Sequence, residues 1–160
     1  MPAEIRTEAV VPAAPDVVHD LLTDIGSWAI WSPHVASVKP RLGHVAAGDV
    51  IRTRAFFSPV ATPMHVDTVT PGRGISWHSE ALGHRLSYEN RVDPAPEGAR
   101  VTFTARIAGP AAGPLTLLTR PLSALGQRRR IARLGRLAAL VEHERRQGSG
   151  PGGVSRRTAA

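Results

Sequence analysis

Hydrophobic and polar positions alternate from Glu4 to Val11, placing Ile5, Thr7, Ala9 and Val11 on one face of a half-buried strand that Pro12 ends. The period then changes. Pro15 and Asp16 suit a first helical turn, where a missing N–H costs nothing and an acid meets the helix dipole. Val17, Val18, Leu21 and Leu22 come next at helical spacing. Gly26 interrupts before Trp28, Ile30 and Trp31, and Ser32-Pro33 ends that short segment, so two tryptophans sit in a helical connector predicted to plug one end of a sheet.

From 35 to 108 the period is two. Strands are predicted at Val35 to Leu42, Val50 to Phe57, Thr62 to Val69, Ile75 to Ala81 and, after a hairpin, from His84 onward, with turns at Gly48-Asp49, Ser58-Pro59 and Pro71-Gly72. Leu82-Gly83 reads as a two-residue hairpin turn, which sets Ala81 opposite His84, Ser79 opposite Leu86 and Trp77 opposite Tyr88 on one face. Glu80 then meets Arg85 on the solvent side. Asp93 to Ala99 is a polar loop, after which Val101, Phe103, Ala105 and Ile107 face inward and Arg100, Thr102, Thr104 and Arg106 outward. For 62 to 69 two parities compete, Met64 with Val66 or His65 with Asp67 inward, and the first is favoured.

A sheet with one apolar and one charged face needs a cover. Leu115 to Arg146 supplies it as a helix, with Pro121 and Gly126 as expected interruptions. Leu118, Leu122 and Leu125 form one apolar stripe; Ile131, Leu134, Ala138 and Val141 form another in a different phase, and a kink at 121 to 126 would reconcile them. From 147 onward Gly, Ser, Pro and Arg lack periodicity and read as a disordered basic tail after a domain spanning 1 to 146. The class is α+β: a curved antiparallel seven-stranded sheet wrapped around a long C-terminal helix, with two short helices after the first strand.

Composition adds exclusions. Cysteine is absent, which removes disulfides, thiolate nucleophiles and cysteine-held metals. No stretch reaches the roughly 20 apolar residues of a membrane span, and the N-terminus lacks an apolar signal core, so a cytoplasmic protein is expected. The net charge of +7 is local: residues 1 to 114 carry ten basic and eleven acidic side chains, whereas 115 to 146 carry eight arginines against Glu142 and Glu144. The arginine run Arg128-Arg129-Arg130 with Arg133 and Arg136 reads as a solvated helix face, its lesser reading a weak contact with an anionic surface; specific nucleic-acid binding is not expected. The histidines show no metal-ligand spacing and no phosphate loop or hydrolase motif occurs, so neither metal nor cofactor is expected.

Three segments carry a resemblance: Val10-Val11-Pro12-Ala13-Ala14-Pro15-Asp16-Val17-Val18, the run from Leu22 to Pro33 containing Trp28 and Trp31, and Gly98-Ala99-Arg100-Val101-Thr102-Phe103-Thr104 before the closing helix. With the order of elements, these make residues 3 to 146 resemble the START-like polyketide cyclase and lipid-transport (SRPBCC) superfamily. The resemblance implies a helix-grip fold with a cavity between sheet and helix. None of the three segments is a catalytic motif, and the superfamily hosts carriers, sensors and enzymes.

By strand parity the expected ligand-facing residues are Phe57, Met64, Val66, Trp77, Ser79, His84, Leu86, Tyr88, Asn90, Phe103 and Ala105, with Leu118 and Leu122 from the helix. His84 and Tyr88 are the candidates for proton transfer or ligand orientation, although four residues along a strand separates them by about 13 Å. For a cyclase or dehydratase the resemblance implies inward polar groups that position a poly-β-ketone, typically arginine, tyrosine, histidine or carboxylates; Tyr88 and His84 could serve, but the sequence places no arginine or carboxylate inward. The favoured reading is therefore a non-catalytic binder of an apolar small molecule; the alternatives are a cyclase-like enzyme and an interaction module built on the basic helix.

Overall fold

A computed structural model describes residues 3–33, 35–39, 43–55, 59–81, 83–110 and 112–148. Strand β1 (Ala3–Val11) is followed by α1 (Pro15–Thr23), a single 3₁₀ turn (Ile25–Ser27) and α2 (Trp28–Trp31). Strands β2 (Val35–Lys39), β3 (Val50–Ala55), β4 (Thr62–Thr70), β5 (Gly74–Ala81), β6 (His84–Ala95) and β7 (Gly98–Ala108) come next, and α3 (Ala112–Gly148) closes the chain. The strands form one antiparallel seven-stranded sheet in the order β1-β7-β6-β5-β4-β3-β2. The fold is the α+β helix grip that the sequence predicts.

The hairpin register is the one expected: Trp77 pairs with Tyr88, Ser79 with Leu86 and Ala81 with His84, and Arg85 approaches Glu80 to 3.7 Å on the outer face. Parity in β4 also matches the favoured reading. Val66 is buried and Met64 packs against the core, whereas His65 and Asp67 are exposed.

Three expectations are corrected. Asp93 to Ala99 is not a loop: the β6–β7 ladder continues through Asp93↔Arg100 and Pro94↔Ala99 to Ala95↔Gly98, leaving only Pro96 and Glu97 as the turn. Gly98 makes this possible, because it has φ +138 and a Cβ there would meet the Val11 carbonyl at 2.2 Å. Second, Thr102 and Thr104 point outward as expected yet are buried, because a lattice of long charged side chains on the convex face covers them, among them Arg6, Arg91, Arg100 and Arg106. Arg106 contacts both Glu4 and Glu89 there.

The third correction concerns α3, which is helical from Ala112 and passes Pro121 and Gly126 without a break. Pro121 removes the hydrogen bond to the Leu117 carbonyl, but Leu117 is exposed, so water can satisfy that oxygen. With one phase maintained, the stripe through Ile131, Leu134 and Ala138 continues back through Gln127 to Thr116, all buried. Leu118 and Leu122 therefore face outward, 77% and 74% exposed, and Leu125 is exposed beside them.

The core lies between the concave sheet face, α1, the tryptophan connector and the second half of α3. The Ser27 hydroxyl donates to the Leu21 carbonyl at 2.8 Å, and the indole N–H groups of Trp28 and Trp31 donate to the Leu22 carbonyl and Ser27 Oγ, which fixes both rings. Near the other end of α1, the N–H of Ala14 donates to Glu142 of α3 at 2.6 Å, tying the first helix to the last. Residues 149–160, which hold most of the expected tail, lie outside the described residues. No helix is long and apolar enough to cross a membrane.

Candidate functional site

A cavity of about 310 Å³ opens between the concave face and the helices. Its walls include Trp28, Trp31 and Ser32 from the connector, Met64 from β4, Trp77 and Ser79 from β5, Leu86 and Tyr88 from β6, and Arg130 from α3. The chain's three tryptophans therefore all border one space. Trp28 lies 5.8 Å from Trp77, which stacks on Tyr88 at 5.8 Å, so three rings form a continuous aromatic wall. The connector tryptophans, expected to plug one end of the sheet, line the cavity.

Strand parity brings Met64, Trp77, Ser79, Leu86 and Tyr88 to the cavity. Val66 and Phe103 are buried beneath it in the core, and Asn90 is buried deeper along β6 with its amide nitrogen lacking a hydrogen-bond partner among the described residues. Ala105 is half-buried and does not border the space. Neither does His84, whose ring packs against Gly109 at the end of β7. The pairing of His84 with Tyr88 in one site is thus not realised. Leu118 and Leu122 face solvent, and Phe57 lies outside the described residues.

The residue that sequence reasoning missed is Arg130. Arg128, Arg129, Arg133 and Arg136 are exposed as expected of a solvated face, but Arg130 turns inward. Its guanidinium carbon lies 5.3 Å from the Trp31 ring centroid and 5.0 Å from that of Phe103. A signal was available: Arg130 stands three residues after Gln127 and four before Leu134, on the edge of the buried stripe. Desolvation pushes its pKa down to about 10, partly offset by its interaction with Tyr88. The Tyr88 phenol is pushed above its ordinary value by burial, with Arg130 acting in the opposite direction. At neutral pH the site holds a guanidinium cation and an uncharged phenol.

Two further polar atoms bear on this wall. Ser32 Oγ and Arg130 Nε are buried without hydrogen-bond partners among the described residues. No carboxylate borders the cavity among those residues. A larger groove, about 580 Å³, lies on the convex face among Asp67, Arg73, Glu89 and Arg106; it is charged and lacks the continuous aromatic wall of the concave site. Across β4 and β5, His65 and His78 stack at 5.1 Å, with His78 bonded to Asp67 at 2.7 Å. Among the described residues, no three or more His, Cys, Asp or Glu side chains are arranged to hold a metal.

The family model for polyketide cyclase / dehydrase and lipid transport matches residues 2–142. No curated protein matches the chain. Among solved structures, TTHA0849 of Thermus thermophilus is similar at 18% identity and TM-score 0.68, with 87% of this chain and 99% of that one covered. CV1439 of Chromobacterium violaceum is similar at 20% identity and TM-score 0.62, covering 86% and 98%. DynU16, from the dynemicin biosynthetic locus, is similar at 19% identity and TM-score 0.63 over 87% of this chain and 48% of its own. Identities this low establish a shared fold and nothing finer.

Proposed function

Because the chain belongs to the polyketide cyclase / dehydrase and lipid transport family, we propose that it binds a largely apolar small molecule in the cavity between the sheet and α3, as a carrier or sensor. The observation that carries this reading is the convergence of Trp28, Trp31 and Trp77 on one concave space. Apolar walls with a few placed polar groups are the usual form of a small-molecule site. Met64, Trp77, Leu86 and the other rings supply dispersion and area burial, while Ser79 and the Tyr88 hydroxyl orient polar atoms of the ligand.

Native mass spectrometry of the protein purified from its own host tests the reading. A mass excess that denaturation releases as a discrete small molecule is expected. A bare chain that also takes up no added N-phenyl-1-naphthylamine, an uncharged two-ring probe, would count against it.

Arg130 keeps a second reading in view. A cyclase or dehydratase acting on a polyketide or aromatic substrate is served by an inward donor that polarises a carbonyl, and Arg130 beside Tyr88 supplies a group that the sequence alone did not place there. The absence of a bordering carboxylate among the described residues leaves that reading without a base and keeps it second. Tyr88→Phe separates the two. Under the binding reading it weakens ligand affinity; under the enzymatic one it abolishes turnover while binding is retained.

A further inference from the structure

Buried cations in proteins are almost always paired, because a desolvated charge without a counter-ion costs several kcal/mol. Arg130 departs from this rule: the residue is half-buried with its Nε out of contact with solvent, and no ion pair among the described residues includes it. No carboxylate among the described residues borders the cavity, and Glu142, the acid of α3 that faces α1, is already committed to Ala14 and Arg146. Tyr88, the titratable group that acts on Arg130, is a neutral phenol at physiological pH and cannot balance the charge. The rings of Trp31 and Phe103 hold the cation by its π contacts but leave Nε unbonded. Ser32, next in sequence to the ring beneath Arg130, offers a second unbonded polar atom on the same cavity.

The geometry points to a ligand that brings the missing charge: we propose that this cavity takes an apolar or aromatic carboxylic acid, its carboxylate received by Arg130 and Ser32 and its rings or chain lying along Trp28, Trp77 and Tyr88. A planar guanidinium presents paired donors at the spacing of carboxylate oxygens, a match that a point charge such as lysine lacks. The proposal rests on the cavity being a ligand site, and it names the chemical class of that ligand.

The test compares two probes of one shape, 2-naphthoate and 2-naphthamide, titrated calorimetrically into the full-length protein at neutral pH. A charge-assisted pair formed away from water should favour the acid by about ten- to hundredfold over the amide. In Arg130→Met that ratio should fall to about one, and in Arg130→Lys it should lie between. Whatever the substitution does to the apolar wall acts on both probes, so the ratio reads the charge alone. Arg130→Gln serves in place of the methionine variant if the latter does not fold. Equal affinities in the unsubstituted protein would overturn the proposal, as would a preference for the acid that survives in Arg130→Met. Failure of both probes and of N-phenyl-1-naphthylamine to bind would instead remove the cavity reading, and this inference with it.

Discussion

Arg130 is half-buried with its Nε shielded from solvent, and the two rings beside it return only part of the hydration it gives up. Replacing even a buried ion pair by hydrophobic side chains of similar volume is commonly neutral or stabilising by about 1–4 kcal/mol, and an unpaired cation has no counter-ion attraction to lose. Arg130→Met should therefore unfold at the same or higher urea concentration than the unsubstituted, ligand-free protein. A clear drop in midpoint would show that the rings repay the desolvation and that the residue is structural. Glu142 is the opposite case. The Ala14 N–H, then Arg146, holds its carboxyl below the ordinary carboxylate range. An acid whose folded pKa is lowered stabilises fully above the unfolded value, and that contribution fades as pH falls through the folded value. Glu142→Gln should melt below the unsubstituted protein at neutral pH, and the gap should close as pH falls through and below the carboxylate range. A constant gap in melting scans would contradict the assignment.

The helices show why some elements were legible in the sequence and others were not. α1 declares itself through Pro15, Asp16 and its four apolar residues, because local signals and burial agree there. In α3 they disagree. Leu118, Leu122 and Leu125 have the spacing of a core stripe, yet the buried side of that half of the helix carries Thr116 and Gln127. The phase is set by the stronger stripe at Ile131, Leu134 and Ala138, and an unbroken helix imposes that phase on everything before it. Arg130 was hidden for the same reason, since a run of three arginines reads as surface until the phase of the whole helix is known. Accordingly Leu118→Gln and Leu122→Gln should each change unfolding free energy by less than about 0.5 kcal/mol. Leu134→Ala, at a fully buried position, should cost roughly 2–5 kcal/mol. Comparable losses at Leu118 and Leu134 in denaturant titrations would mean that the leucine stripe is core after all. At the β6–β7 turn, Gly98→Ala should cost about 2 kcal/mol by the same measurement, because the positive φ and the Val11 carbonyl leave no room for a methyl group.

At the scale of the whole molecule, the hairpin was readable because a two-residue turn fixes register, and register fixes which side chains share a face. Trp77, Ser79, Leu86 and Tyr88 reached the cavity by that rule. What parity cannot give is depth along the strand: Asn90 and Val66 share the face but sit in filled core, and His84 sits at its far end against Gly109. Nor does strand parity reach Trp28, Trp31 and Arg130, which enter the site from helices whose rotation depends on packing across the whole domain. Since all three tryptophans border the cavity, the protein carries its own reporter of occupancy. The most direct measurement is a titration of N-phenyl-1-naphthylamine into the full-length protein, read as energy transfer from tryptophan to probe, alongside the cavity-narrowing variant Ala55→Phe. A cavity that binds apolar molecules predicts saturable transfer at one equivalent, with affinity lowered at least about tenfold in the folded variant. Absent transfer, or transfer unaffected by narrowing the cavity, would contradict it.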